Sequence, residues 1–234
     1  MATVNPKNVT IRGRLSFPRF THKEAVANAL KSNIPAIAAK AASNPEDISP
    51  EFNLLIEQDQ LDKLVEHIRD VFLPYVNDQF AKKEKRDALD PKVVAKILKK
   101  MEDGDYEAVA PHLPMKEMSD KNKESAPECV VGVKITGNKG RDITLKARVD
   151  SEDQLAIPDA DLLQFPVLKN LSETVFEMYP GAYVGATLNL FAFFSSASVN
   201  GISAGASTAV YLGNLEGERF GGGDTVDEDA LFMD

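Results

Sequence analysis

The chain has 234 residues, 43% of them hydrophobic and 27% charged, with no Trp and a net charge of −9. That length can bury a sizeable core, and a lone cysteine, Cys129, excludes an intrachain disulfide; with only His22, His67 and His112 beside it, a Cys/His metal site is not expected. No apolar run approaches the ~20 residues of a membrane helix, and Met1 to Asn8 lacks the charged-then-apolar layout of a secretion signal, so no membrane partner is expected.

In chain order, Thr10 to Phe17 alternates with period two, placing Ile11, Gly13, Leu15 and Phe17 on one face and Thr10, Arg12, Arg14 and Ser16 on the other. This predicts a half-buried strand whose outer face carries two arginines and which Pro18 ends. Thr21-His22-Lys23-Glu24 is a capping box that opens an Ala-rich helix to about Leu30; a second helical piece, Ala36 to Ala42, follows the break at Pro35. Asn44 to Pro50 reads as a loop and Phe52 to Ile56 as a short strand. Asp59 then caps the strongest helix, with Leu61, Leu64, Val65, Ile68, Val71, Phe72 and Val76 at spacings of three and four, kinked at Pro74. Lys82, Lys83, Lys85 and Arg86 suit the negative end of its dipole and are read as a solvated helix end. Asp90-Pro91 starts another helix, which stops at Asp103-Gly104-Asp105; that turn is preferred to a cation site.

Tyr106 to Pro127 is loop-like. Cys129 to Thr136 and Asp142 to Val149 flank Gly137-Asn138-Lys139-Gly140, the pattern of a hairpin. On the second of these strands Thr144, Lys146 and Arg148 face outward. Residues 161–177 read as partly helical, and Pro180-Gly181 as a turn. Tyr183 to Phe194 is a long strand with Val184, Ala186, Leu188, Leu190 and Ala192 on one side and Tyr183, Gly185, Thr187, Asn189, Phe191 and Phe193 on the other. Ser195 to Gly205 reads as a small-residue loop and Ser207 to Leu212 as the last strand. Strands at both ends of the chain with helices between them predict an α+β domain, mainly antiparallel β, built as a barrel with inserted helices.

Signals for catalysis are weak, and no enzyme is expected. Gly201-Ile202-Ser203-Ala204-Gly205 lacks the Lys-Ser/Thr of a phosphate loop, Cys129 lies in an apolar strand, and His67 falls within the amphipathic helix. Signals for binding fit together better. Single-stranded nucleic acid needs cations along its phosphates and flat side chains under its bases. Arg12, Arg14, Lys146 and Arg148 offer the first; Phe191 and Phe193, with Tyr183 on the same face, offer the second. Taken singly, the cations suit a solvated sheet face and the phenylalanines suit a core.

Charge is unevenly placed along the chain. From Glu216 onward there are seven acids against one base, Arg219, so of the 36 acids and 27 bases the first 215 residues keep 29 and 26. A nearly balanced body can carry a basic groove despite the anionic total. The end of the chain, Gly221 to Asp234, opens on three glycines and holds five acids, among them Asp227, Glu228 and Asp229, before the apolar pair Leu231-Phe232. It reads as a hinge and an acidic arm with a hydrophobic tip, suited either to a basic groove on its own protein, to docking on a partner, or to simple solubility.

The chain resembles the phage single-stranded-DNA-binding proteins. The matching pieces are Gly13-Arg14-Leu15-Ser16-Phe17-Pro18, Phe52-Asn53-Leu54-Leu55-Ile56 leading into a helix, and Met101-Glu102-Asp103-Gly104-Asp105. Tyr179-Pro180-Gly181-Ala182-Tyr183-Val184, Asn200 to Gly205, and Gly217 to Gly223 before the acids continue the series in order along nearly the whole chain. The segment Lys23 to Asn44 is larger than that pattern requires. The resemblance implies an OB-fold over residues 1–220 and an acidic C-terminal tail over residues 221–234. It implies a protein of DNA replication and recombination in the host cytoplasm that coats single strands without sequence preference and needs no cofactor. Its tail would regulate binding and recruit a polymerase or helicase, and a homodimer is left open. The alternative is a virion structural or scaffold protein that does not bind DNA.

Overall fold

The computed structural model describes residues 5–81, 99, 103, 113–149, 167–193, 201–213 and 220. They form β1 (Asn8–Arg19), α1 (His22–Leu30), α2 (Pro35–Ser43), β2 (Glu51–Ile56), α3 (Gln58–His67) and α4 (Leu73–Ala81). After these come β3 (Met115–Lys116), α5 (Asp120–Ser125), β4 (Val131–Thr136), β5 (Thr144–Val149), β6 (Val167–Asn170), β7 (Tyr183–Phe193), β8 (Gly201–Gly205) and β9 (Thr208–Gly213). The predicted basic helix end, the helix expected from Asp90 apart from Lys99, which is helical, and the whole of residues 221–234 lie outside the described residues.

Five strands close on themselves. β1 pairs with β2, β2 with β4, β4 with β8, β8 with β7, and β7 returns to β1. Every seam is antiparallel except β4–β8, which is parallel. This is an OB-fold-like barrel with inserted helices, an α+β architecture that is mainly antiparallel. The period of two fills its interior: Val9, Ile11 and Leu15 from β1, Phe52, Leu54 and Ile56 from β2, Val131, Val133 and Ile135 from β4, and Val184 through Leu190 at alternate positions of β7 are all buried. Leu61, Leu64, Ile68 and Phe72 of the following helix join the same cluster. Each large side chain so buried contributes about 1.5–3 kcal/mol.

Two strands change partners along their length, which is how the barrel and its extension share one sheet. β1 pairs with β7 from Asn8 to Arg14 and with β2 from Arg14 onward. At this changeover Gly13 lies so near β2 that a Cβ would stand 2.3 Å from the Leu55 carbonyl oxygen. β7 pairs with β9 over Tyr183–Gly185 and with β8 over Asn189–Phe193. From β9 the sheet continues to β5 in parallel and then to β6 antiparallel, over a second apolar cluster of Ala147, Val149, Leu171, Ala182 and Tyr211.

Several sequence expectations are met, and others are corrected. The capping box forms in full, with the Glu24 N–H donating to Thr21 and Glu24 reaching back. Pro35 opens α2 at its first turn, where a missing N–H costs nothing. Pro18 does not end β1. The pairing register shifts between Ser16 and Arg19, and within this bulge Phe17 takes a left-handed φ of 48° and is 58% exposed. α3 starts one residue before Asp59, which does not cap it. Just before Pro74 the helix takes one π turn, Ile68–Phe72, with the Leu73 N–H donating to the Ile68 carbonyl. Proline cannot supply the N–H for an α-helical bond to Asp70, and the wider turn accommodates it. The extra residue rotates Val71 to the surface while Phe72 stays in the core.

The expected hairpin about residues 137–140 does not exist, because β4 and β5 have no pairing with each other. The turn instead crosses from barrel to extension, with Gly137 N–H donating to the Pro50 carbonyl and Lys139 bonded to Asp47. Of residues 161–177, expected to be partly helical, Val167–Asn170 are a strand and Leu171–Glu173 a single 3-10 turn, and Gly201–Gly205, expected as loop, is β8, the strand that closes the barrel.

Candidate nucleic-acid interface

Paired residues of neighbouring strands point the same way, so the register defines the outer face of the sheet. On β7 that face carries Thr187, Asn189, Phe191 and Phe193, opposite Asn8 and Thr10 of β1 and Ser203 and Gly205 of β8. Thr10 and Thr187 are joined by a side-chain hydrogen bond of 2.9 Å. Beyond β7, Val210 and Thr208 of β9 continue the face, then Lys146 and Thr144 of β5, and then Leu168 of β6 opposite Arg148.

The part of this face between β8 and β6 is hollowed into a groove of about 720 Å³. Lys146 and Arg148 stand on one wall and Phe191 on the other, with Thr187, Asn189, Asn8, Asn138 and Thr208 among the polar groups between. Among the described residues sixteen line it and none of these is acidic, in a chain where 36 of 234 residues are. Phe191 is 42% exposed, although phenylalanine prefers burial. Its ring lies over Gly205, where a Cβ would come within 3.2 Å of the ring edge. The glycine is therefore what leaves room for the ring at this place.

Of the seven residues expected to contact nucleic acid, the structure gathers three, Lys146, Arg148 and Phe191, around the groove. Arg12 and Phe193 share the same sheet face but do not line it; both are half-buried. Arg14 and Tyr183 require correction. They are paired at the far end of β7 and are 7% and 4% exposed. The Arg14 Nε–H donates to the Gly181 carbonyl (2.6 Å), Nη1 pairs with Glu128 (3.1 Å), and the guanidinium lies 5.7 Å and 5.0 Å from the rings of Tyr183 and Phe220. The Tyr183 hydroxyl donates to Glu57. Burial first, and the bond to Glu57 second, push its pKa well above the ordinary tyrosine value. The alternation of β1 does point Arg14 outward. What period two could not reveal is that Leu55, Met118, Ala126, Cys129 and Phe220 pack together over this end of the sheet.

The sequence reading passed over a basic cluster next to the groove. Arg19 and Lys134 both bond to Glu51, at 2.6 and 2.7 Å, so two cations share one carboxylate. Lys116 stands close enough that its pKa is lowered, chiefly by burial and then by repulsion from Lys134. Lys134 was legible as an outward position on an alternating strand. Arg19 is not legible in this way, because a proline at position 18 reads as the end of the strand. Thr136, two residues along from Lys134, lines the groove itself.

Cys129 is buried and its thiol donates to the Leu55 carbonyl. Burial, followed by the charges of Glu128 and Glu57, pushes its pKa to about 12, so it stays protonated at neutral pH. The His67 ring donates to the Pro6 carbonyl at 3.0 Å, a tie between helix and N-terminal segment. Among the described residues, no three of His, Cys, Asp and Glu converge to hold a metal ion.

No protein-family model and no curated protein sequence matches the chain. Solved structures do. The chain is similar to the single-stranded DNA-binding protein of bacteriophage Enc34 at 13% identity, covering 96% of this chain and 90% of that one with a TM-score of 0.46. The structure of that phage protein in complex with ssDNA matches at 12% identity over 92% and 90%, with a TM-score of 0.45. The third is gp2.5, a single-stranded DNA-binding protein encoded by bacteriophage T7, at 12% identity over 95% and 96%, with a TM-score of 0.44.

Proposed function

We propose that this protein binds single-stranded DNA without sequence preference, through the groove between β8 and β6. The observation that carries this is the groove's composition: two cations, a partly exposed phenylalanine ring and, among the described residues that line it, no carboxylate, on a molecule with a net charge of −9. Lys146 and Arg148 suit successive phosphates. Phe191 offers a face on which any base can stack, worth about 1–3 kcal/mol and insensitive to base identity. A duplex presents no such free base face, so the ring selects for unpaired strands. The asparagines and threonines between supply hydrogen bonds without adding charge.

The role that follows is protection of transient single strands in phage replication and recombination, by a body of residues 1–220. The acids of residues 221–234, which mimic phosphates, compete with DNA for the groove. DNA displaces them, and the freed Leu231-Phe232 tip then recruits a polymerase or helicase.

Titration of oligo-dT at two salt concentrations, with duplex DNA as comparison, tests the central claim. Saturable binding that prefers the single strand and weakens with salt is expected; equal migration of oligonucleotide with and without protein overturns it and returns the chain to the class of structural or scaffold proteins. Deleting residues 224–234 is expected to tighten binding, and unchanged or weaker affinity would remove the tail from this account.

A further inference from the structure

The outer face of the barrel continues past the groove. Phe191 of β7 pairs with Ser203 of β8, and Lys134 of β4 pairs with Asn53 of β2, which pairs in turn with Ser16 of β1. β8 joins β4 with Ala204 beside Ile135, which sets Ser203 level with Lys134. Phe191, Ser203, Lys134, Asn53 and Ser16 therefore form one row across five strands, four strand spacings or about 19 Å along the surface. At the far end of this row stands Phe17. In an unbroken strand it would turn inward opposite the buried Phe52; the bulge and a left-handed φ of 48° leave it 58% exposed instead. Glycine takes that conformation freely, whereas a bulky side chain there is strained, and such outliers cluster at binding sites. Burial does not account for a phenylalanine in this place. Its surroundings are cationic. Arg19, two residues on, and Lys134 share Glu51 at 2.6 and 2.7 Å, and Lys116 is close enough to be acted on by all three. Three cations around one carboxylate leave an excess of two positive charges, and the nearby Asp47 is matched by Lys139 at 2.8 Å.

We infer that the strained Phe17, with Arg19, Lys134 and Lys116, is a second contact for the same single strand: a base stacks on the ring and phosphates meet the cations. The inference rests on the proposal that the groove holds single-stranded DNA, and it adds the direction and the length of the path. The strand leaves Phe191, crosses β8 and β4 past Thr136 and Lys134, and ends on the β1 bulge. Thr136 already lines the groove, and Lys134 lies two residues along the same strand, so the two contacts are continuous. A strand stacked as in a duplex carries one phosphate about every 3.4 Å, so about 19 Å takes roughly six nucleotides. That is within the ~4–16 nucleotides that one barrel of this kind accommodates. A ring at each end also gives the strand two fixed points without reading any base edge, so the added contact lengthens the site and leaves it indifferent to sequence.

The test compares the full chain with its Phe17→Gly, Lys134→Ala and Phe191→Ala variants, titrated with oligo-dT of about 4 and about 16 nucleotides, the first too short for the whole path. Phe17→Gly removes the ring and relieves the backbone. It should weaken binding of the long strand several-fold, leave the short strand unchanged, and leave Tm equal or higher. Lys134→Ala should flatten the salt slope by about 0.7 with the long strand only. Phe191→Ala should weaken both lengths. If Phe17→Gly lowers Tm and binds the long strand as tightly as the unsubstituted chain, Phe17 is structural and the path is overturned. An equal loss on both lengths also overturns it, because the bulge would then belong to the groove's own site. Photocrosslinking of long oligo-dT carrying iododeoxyuridine should give adducts on the peptides of both Phe17 and Phe191; adducts on the Phe191 peptide alone end the path at the groove. If the unsubstituted chain binds neither length, the DNA proposal itself fails; if it binds both and only the Phe17 and Lys134 predictions fail, that proposal stands without the extension.

Discussion

Arg14 and Lys146 have the same description in sequence, a cation on the outward side of an alternating strand, and opposite situations in the fold. Lys146 stands in an open groove; Arg14 is under Phe220, bonded to Glu128 and to the Gly181 carbonyl. Their neighbours on the same face divide likewise, with Phe191 exposed and Tyr183 buried against Glu57. Substitution should separate the two ends. Phe191→Ala removes a ring that is 42% exposed, so we expect a smaller change in Tm than Arg14→Ala causes and a loss of about 1–3 kcal/mol in oligo-dT binding. Arg14→Ala leaves a buried carbonyl without its charged donor, so a thermal-stability loss of about 1–3 kcal/mol is expected, with a smaller loss of affinity than Phe191→Ala causes. Thermal melts and titrations on the two variants, read together, decide the assignment.

Among elements, the strand that changes partner is the most sensitive place. Gly13 sits where β1 passes from β7 to β2, and the nearest obstacle to a side chain there is backbone, which cannot swing away. Gly13→Ala should therefore cost about 1–3 kcal/mol, lowering Tm by roughly 2–4 °C for each kcal/mol. An unchanged melting temperature would show that the β1–β2 contact is looser than described. Much at this scale was legible in the residues. The β1 alternation as far as Leu15, the short strand β2, the β7 alternation and the Thr21–Glu24 box use only local chemistry, and all appear in the structure. What was not legible depends on partners distant in sequence. Gly137-Asn138-Lys139-Gly140 has the composition of a hairpin turn, but the strands it joins pair with β8 and β9, about 70 residues downstream. Gly201–Gly205 reads as loop because only Ile202 and Ala204 point inward; Gly205, which follows them, is the residue that leaves room for the Phe191 ring. The same holds for the site, since sequence named the outward face correctly but could not say which part of it other segments cover.

At the scale of the whole molecule, the net charge of −9 and the groove's lack of acids are compatible because the acids are concentrated elsewhere, seven of them from Glu216 onward. Binding driven by phosphate contacts falls with salt at about 0.7 log units of affinity per log unit of salt for each contact on a single strand. Lys146→Ala and Arg148→Ala should each flatten that slope by about 0.7 and weaken oligo-dT and mixed-sequence strands alike. A loss that depends strongly on sequence would mean that these side chains read bases rather than phosphates.

The pairing of β1 with β7 sets Asn8 against Asn189, and the ring is shut only when Ala204 and Gly205 reach Ile135 and Thr136. Over Asn8–Arg14, β1 must therefore wait for a partner strand that is made much later. The body cannot be assembled piecemeal during synthesis, and a chain ending before about residue 205 has no closed form to adopt.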